Sequence, residues 1–126
     1  MERTGTWTVI SGPPGSGKST VAGLLATDAA RPTVHLHTDS LYTWIKTGLI
    51  EPYLPESAAQ NEVVLEAITA AAAAYARGGY DVILDGVIGP WFVDRYRERA
   101  GDAEIDMSYV ILSAPLELTL HRAAER

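Results

Sequence analysis

Gly12-Pro13-Pro14-Gly15-Ser16-Gly17-Lys18-Ser19-Thr20 is the stretch around which the chain is organised. Gly12, Gly17, Lys18 and Ser19 satisfy the spacing Gly-x-x-x-x-Gly-Lys-Ser/Thr of a phosphate-binding P-loop. Each residue type has a physical task. Glycines let successive backbone N–H groups turn inward around one anion with no Cβ in the way. Lys18 adds a mobile positive charge for terminal phosphates, and the Ser19 hydroxyl suits the Mg²⁺ that accompanies a nucleoside triphosphate. A helix starting near Lys18 would aim its positive end at the same point. The context agrees with this reading. The apolar run Trp7 to Ile10 precedes the loop, and Val21-Ala22-Gly23-Leu24-Leu25-Ala26 follows with helical spacing, so strand, loop and helix come in the required order.

Outward from that loop, Arg31-Pro32 closes the first helix and Val34-His35-Leu36-His37 reads as a second strand, ending at Thr38-Asp39-Ser40. A short helix is expected from Leu41 to about Lys46, capped by Asp39 or Ser40. Gly48 to Pro55, with Pro52 and Pro55, reads as irregular and flexible. Ser57-x-x-Gln60 has the form of a capping box, and Val64, Ile68, Ala71 and Tyr75 fall on one helical stripe behind it. Gly78-Gly79 stops that helix. Tyr80 to Leu84 is a third strand closed by Asp85-Gly86, Pro90 opens a helix to about Arg99, and Met107 to Leu112 is a fourth strand. Ser113-Ala114-Pro115 starts a helical pattern still running at Arg126, so the fold is expected to continue beyond this residue. Strands alternating with helices predict an α/β fold, a three-layer α/β/α parallel sheet with ligands gathering at the carboxyl ends of its strands. That edge collects the P-loop, Asp39 and Asp85.

The bulk composition narrows the partners. The chain has 126 residues, 47% hydrophobic and 21% charged, which suits one globular domain. A net charge of −6 repels a nucleic-acid backbone or an anionic membrane, so neither is an expected partner. With no cysteine there are no disulfides and no cysteine-based zinc sites, in keeping with a cytoplasmic setting. The most apolar tract, Ala67 to Ala76, is too short for a membrane span and is interrupted by Thr69.

Asp85, ending an apolar strand, can hold the P-loop Mg²⁺ together with Ser19. P-loop ATPases with a dedicated base commonly carry Asp-Glu here, whereas Gly86 follows Asp85, which tilts the reading from hydrolysis to transfer. Asp39 is the candidate base for an acceptor hydroxyl attacking the γ-phosphate. His35 and His37 share one strand face and read as satisfied core or edge histidines rather than ligands. Tyr42, Trp44, Trp91, Phe92 and Tyr96 flank the acidic strand ends, mostly as packing residues, with one or two free to line an acceptor pocket. Arg95, Arg97 and Arg99 read as a solvated helix face.

Together the P-loop, the strand ending at Asp39 and Leu84-Asp85-Gly86 resemble the small P-loop kinases, which include nucleoside, shikimate and gluconate kinases, chloramphenicol phosphotransferase and zeta toxins. The resemblance spans almost the whole chain, as a single domain over residues 1–126 with the lid and last strand absent, in the fold of P-loop-containing nucleoside triphosphate hydrolases. It implies ATP and Mg²⁺, with Lys18 and Asp39 catalytic and Ser19 and Asp85 on the metal. Gly12 to Thr20 would hold the nucleotide. Arg122 and Arg126 match the lid arginines that face adenine and phosphates. No Asn-Lys-x-Asp sequence for reading guanine is present. Ser40 to Glu62 offers only Lys46 as a cation, and Gly86 to Pro90 none, so the resemblance implies a small hydroxyl-bearing acceptor without a phosphate of its own. Two other readings stay open: a P-loop ATPase or nucleotide-binding regulatory module, and a zeta-toxin-like kinase of nucleotide sugars.

Overall fold

The computed structural model describes residues 3–13, 15–86, 88 and 90–112, without the side chains of 90 and 91. Within them run β1 (Trp7–Ser11), α1 (Lys18–Thr27), β2 (Thr33–His37), α2 (Thr38–Thr43), α3 (Ala58–Arg77), β3 (Asp81–Gly86), α4 (Pro90–Asp102) and β4 (Met107–Ile111). The four strands form one sheet in the order β2-β3-β1-β4. Every pairing is parallel, with Ser11 opposite Gly86 and His37 opposite Asp85. Their carboxyl ends therefore share one edge.

Alternation along the strands sorts side chains to two faces, and each face is covered. Trp7, Val9, Val82 and Leu84, all fully buried, pack with Val64, Leu65, Ile68 and Val93 of α3 and α4. The Trp7 indole Nε1 donates to Ala72 O at 3.1 Å, so the buried N–H is satisfied. On the other face Ile10 and Ile83 meet Ala22 of α1. The three-layer α/β/α arrangement expected from the sequence is the one observed.

Differences from the expected elements have local causes. The buried stripe of α3 runs through Val64, Leu65, Ile68, Thr69, Ala72, Ala73 and Ala76. Tyr75 is instead 46% exposed, its ring edge-on to Tyr80. Thr69 can join the core because its hydroxyl donates to Leu65 O at 2.9 Å. The capping box does not form. Ser57 Oγ lies within hydrogen-bonding distance of Pro52 O and Leu54 O, while the Gln60 side chain brackets the backbone of Ile50 through both its N–H and its C=O. These bonds tie the proline-containing segment to the start of α3, where composition had suggested free movement. The short helix α2 begins at Thr38, three residues before its expected start at Leu41, so Asp39 and Ser40 lie within its first turn rather than at its cap. β3 runs on to Gly86, because the ladder with β1 extends to Ser11. α4 continues to Asp102, beyond the expected end at Arg99.

Candidate functional site

The loop after β1 folds by backbone means. Ser16 N donates to Pro13 O at 3.1 Å, and Gly15 and Gly17 take φ of +83° and +88°, a region open to glycine and strained for other residues. Gly12 is fixed by contact: a Cβ there would stand 2.5 Å from Ser16 Oγ and 2.6 Å from Leu112 O. Ser16 Oγ is buried with no hydrogen-bond partner among the described residues, an acceptor-seeking hydroxyl inside the loop. Lys18 is the first residue of α1, with Ser19 and Thr20 exposed beside it. Pro14, Arg122 and Arg126 lie outside the described residues.

α1 and β3 meet at Asp85. Ser19 Oγ donates to Asp85 Oδ2 at 2.6 Å. The other carboxylate oxygen, Oδ1, is 3.1 Å from both His35 Nε2 and His37 Nδ1. Thr38 Oγ1 donates to Asp85 O at 3.0 Å. Only 2% of Asp85 is exposed, and among the described residues no lysine or arginine pairs with it. Two oxygen donors meeting at the foot of the phosphate loop are the set that a hard cation such as Mg²⁺ takes, so Ser19 Oγ and Asp85 Oδ2 fit that ion.

Gly86 has a steric reason. A Cβ there would lie 1.9 Å from Thr38 Oγ1 and 3.7 Å from Asp39 Oδ1. The glutamate of hydrolysing P-loop enzymes could not be placed here without moving Thr38. The same closeness brings Asp39 to the strand edge that carries Asp85.

Asp39 is exposed and borders a cavity of about 50 Å³, walled by Tyr42, Asn61, Ile68, Phe92 and Tyr96. Burial, and then the Asp39 charge, raise the Tyr42 phenol above its ordinary value. Burial drives Tyr96 up further, with Tyr42 and Asp39 adding to it. The Tyr42 hydroxyl donates to Asn61 Oδ1 at 3.1 Å. Asn61 and Phe92 also line a larger cleft of about 400 Å³ running to Glu62 and Arg95. Arg95 is held there in an ion pair with Glu62, and Arg99 pairs with Glu66, so these arginines bind α4 to α3 as well as facing solvent. Trp44 is 67% exposed and borders a separate hollow beside β2, lined by Ser40 and Leu41 but not by Asp39. The Trp91 side chain lies outside the described residues.

The sequence reading brought Ser19, Asp39 and Asp85 to one edge, where the structure has them. It missed Thr38 and Asn61, and it did not connect the histidines to Asp85. The period of a strand puts His35 and His37 on one face, but only the pairing of His37 with Asp85 says which carboxylate they meet.

A family model described as an AAA domain matches residues 8–126. No curated protein matches the chain. Among solved structures, the Mycobacterium tuberculosis APS kinase CysC in complex with AMPPNP and APS superposes with a TM-score of 0.73 at 24% identity, over 95% of this chain and 69% of that one. A gluconokinase from Sinorhizobium meliloti gives 0.60 at 20% identity, over 99% and 67%. A chain of the Pnkp1/Rnl/Hen1 RNA repair complex gives 0.70 at 20% identity, over 100% of this chain and 39% of that one. The shared property is the fold of small P-loop kinases.

Proposed function

The chain belongs to the AAA domain family, and from its P-loop kinase-like fold we propose that it moves the γ-phosphate of ATP to a hydroxyl of a small molecule. The observation that carries the reading is the position of Asp39, an exposed carboxylate beside an aromatic-walled cavity on the same sheet edge as the phosphate loop. In that step the acceptor oxygen bonds to the γ-phosphorus, its proton passes to Asp39, and the bond to the β–γ bridging oxygen breaks to release ADP. Gly12 to Thr20 cradle the phosphates, with the buried Ser16 hydroxyl supplying one donor and Lys18 the mobile charge. Mg²⁺, held by Ser19 and Asp85, would neutralise charge on the β- and γ-phosphates. Arg122 and Arg126 are assigned to the adenine and phosphates by resemblance, and residues 1–126 are taken as one domain.

An uncharged, hydroxyl-bearing acceptor with an apolar or aromatic body suits the larger cleft of about 400 Å³ that shares Asn61 and Phe92 with the small cavity. Arg95, which lines that cleft with Asn61 and Phe92, is already engaged by Glu62. A polynucleotide acceptor is disfavoured by the net charge of −6. The APS kinase neighbour is in complex with AMPPNP and APS.

The test incubates the chain with Mg²⁺, ATP and a panel of small alcohols, sugars and phenols, and reads products by mass. A product heavier by one phosphoryl group, absent with Lys18→Ala, supports the assignment. Turnover of ATP that ignores every acceptor would mark an ATPase or regulatory module instead. Phosphorylation confined to nucleotide sugars would mark the zeta-toxin-like alternative.

A further inference from the structure

We propose that His35, His37 and Asp85 form a binding site for a divalent transition-metal ion of the Zn²⁺ or Co²⁺ class, on the carboxylate oxygen that Ser19 does not use. The proposal rests on this chain's own side chains and is independent of the kinase assignment.

The donor atoms come from one strand pair. His35 and His37 project from the same face of β2, and His37 stands opposite Asp85 of β3. His35 Nε2 and His37 Nδ1 each lie 3.1 Å from Asp85 Oδ1, and the three ligand atoms all fall within 4.8 Å of one another. The imidazole centroids are 4.0 Å apart. An ion bonded at about 2.0–2.1 Å to nitrogen and oxygen needs its ligand atoms roughly 2.9–3.4 Å apart, the edge of an octahedron or tetrahedron of that size. The two N···O separations fall in that interval.

Donor type separates this site from the Mg²⁺ position. Ser19 Oγ faces Oδ2 and completes an all-oxygen pair, whereas two imidazoles face Oδ1. Mg²⁺ prefers oxygen and keeps its waters, while imidazole nitrogen suits Zn²⁺, Co²⁺ and Ni²⁺. Charge points the same way. Asp85 is buried, and its described partners at Oδ1 are imidazoles rather than lysine or arginine, so among the described residues no permanent cation takes the place an ion would fill. The site also has an entrance, because 47% of the His37 side chain is exposed against 18% of His35. Solvent can reach the ion from that side and supply the remaining ligands.

The experiment titrates the intact chain with Co²⁺ and follows its visible absorption, which has no cysteine contribution because the chain has none. Saturable one-to-one binding that persists in excess Mg²⁺ and MgADP is expected, weakened at least about tenfold by His35→Gln and by His37→Gln. His121→Gln, which removes the remaining histidine, should leave it unchanged. Thermal unfolding of each variant checks the fold. A second measurement needs no variant: Zn²⁺ should shift the side-chain NMR signals of both β2 histidines together. Absence of Co²⁺ binding below millimolar, loss with His121→Gln alone, or complete displacement by Mg²⁺ would overturn the proposal. In the last case the Mg²⁺ assignment to Ser19 and Asp85 survives, so the two readings fail separately.

Discussion

Ser19 Oγ donates to Asp85 Oδ2 at 2.6 Å, joining the first turn of α1 to the end of β3 across 66 residues of chain. A bond between the residue that follows the P-loop lysine and a buried strand-end carboxylate preorganises two oxygens before any ion arrives. Asp85→Asn keeps the shape and removes the charge. Mg²⁺ should raise the ATP affinity of the wild type, and that gain should fall by at least about tenfold in Asp85→Asn and in Ser19→Ala, read by calorimetry with and without Mg²⁺. Equal Mg²⁺ dependence in all three proteins would remove both residues from the metal site.

Gly86 and Thr38 form a second coupled pair. The space a Cβ would need at residue 86 is filled by Thr38 Oγ1, 1.9 Å away, and that hydroxyl is engaged with Asp85 O. Gly86→Ala should therefore cost about 1–3 kcal/mol of stability, as overpacking of a tight site does. Thr38→Ala should cost about 1 kcal/mol by removing the buried hydrogen bond to Asp85 O. In the double variant the clash is gone, so denaturant midpoints should show less destabilisation than the sum of the singles. Strict additivity would mean that the hydroxyl moves aside freely.

The P-loop was legible because its requirements are local: a fixed spacing, glycines where φ is positive, and a helix starting at Lys18. Alternating strands and helices gave the layers for the same reason. Strand order is not local. Nothing within Thr33–His37 says that β2 flanks β3 at the sheet edge, so the meeting of both histidines with Asp85 was hidden until the register was known. Val64 and Ile68 of the expected α3 stripe are buried, but its later half differs because the alanine-rich stretch has nearly uniform hydrophobicity, and only packing in the core that holds Trp7 and Val82 selects Ala72 and Ala76 over Ala71 and Tyr75. Asp39 could be singled out from the sequence by its place at a strand end, but the cavity beside it depends on Asn61, Phe92 and Tyr96, which lie far along the chain.

At the opposite end of the sheet, Asp81 ties the start of β3 to the segment entering β1. Its carboxylate accepts from Thr6 N at 2.9 Å, Thr6 Oγ1 at 3.1 Å and Arg31 Nη2 at 2.9 Å. Burial alone would raise this carboxyl, but the Thr6 bonds and then Arg31 outweigh it and hold it below the ordinary 3.8. A carboxyl depressed in the folded state adds stability that is fully present above its unfolded value and is lost as pH falls through the folded one. Urea midpoints of the wild type should therefore drop as pH falls below about 4, and Asp81→Asn should show a shallower acid limb with lower stability at neutral pH. Parallel acid limbs would assign the loss to other carboxylates.

Asp39 can be tested before any acceptor is known. Its charge is the second influence, after burial, that raises the Tyr42 phenol, and it also contributes at Tyr96. Asp39→Asn removes the charge and keeps the volume. Tyr42 should then ionise at lower pH than in the wild type while staying above its ordinary 10.0, because burial is the larger cause. Phenolate absorbance during an alkaline titration, with Tyr42→Phe to assign the signal, reads this shift. Once an acceptor is identified, the same variant should lose about 10²–10⁴-fold in transfer, the usual contribution of a positioned base, with ATP affinity unchanged. The pairing of results is decisive. A Tyr42 shift with undiminished transfer would leave Asp39 beside the cavity but out of the chemistry, whereas loss of transfer without a Tyr42 shift would mean that its carboxylate works from outside the Tyr42 and Tyr96 walls.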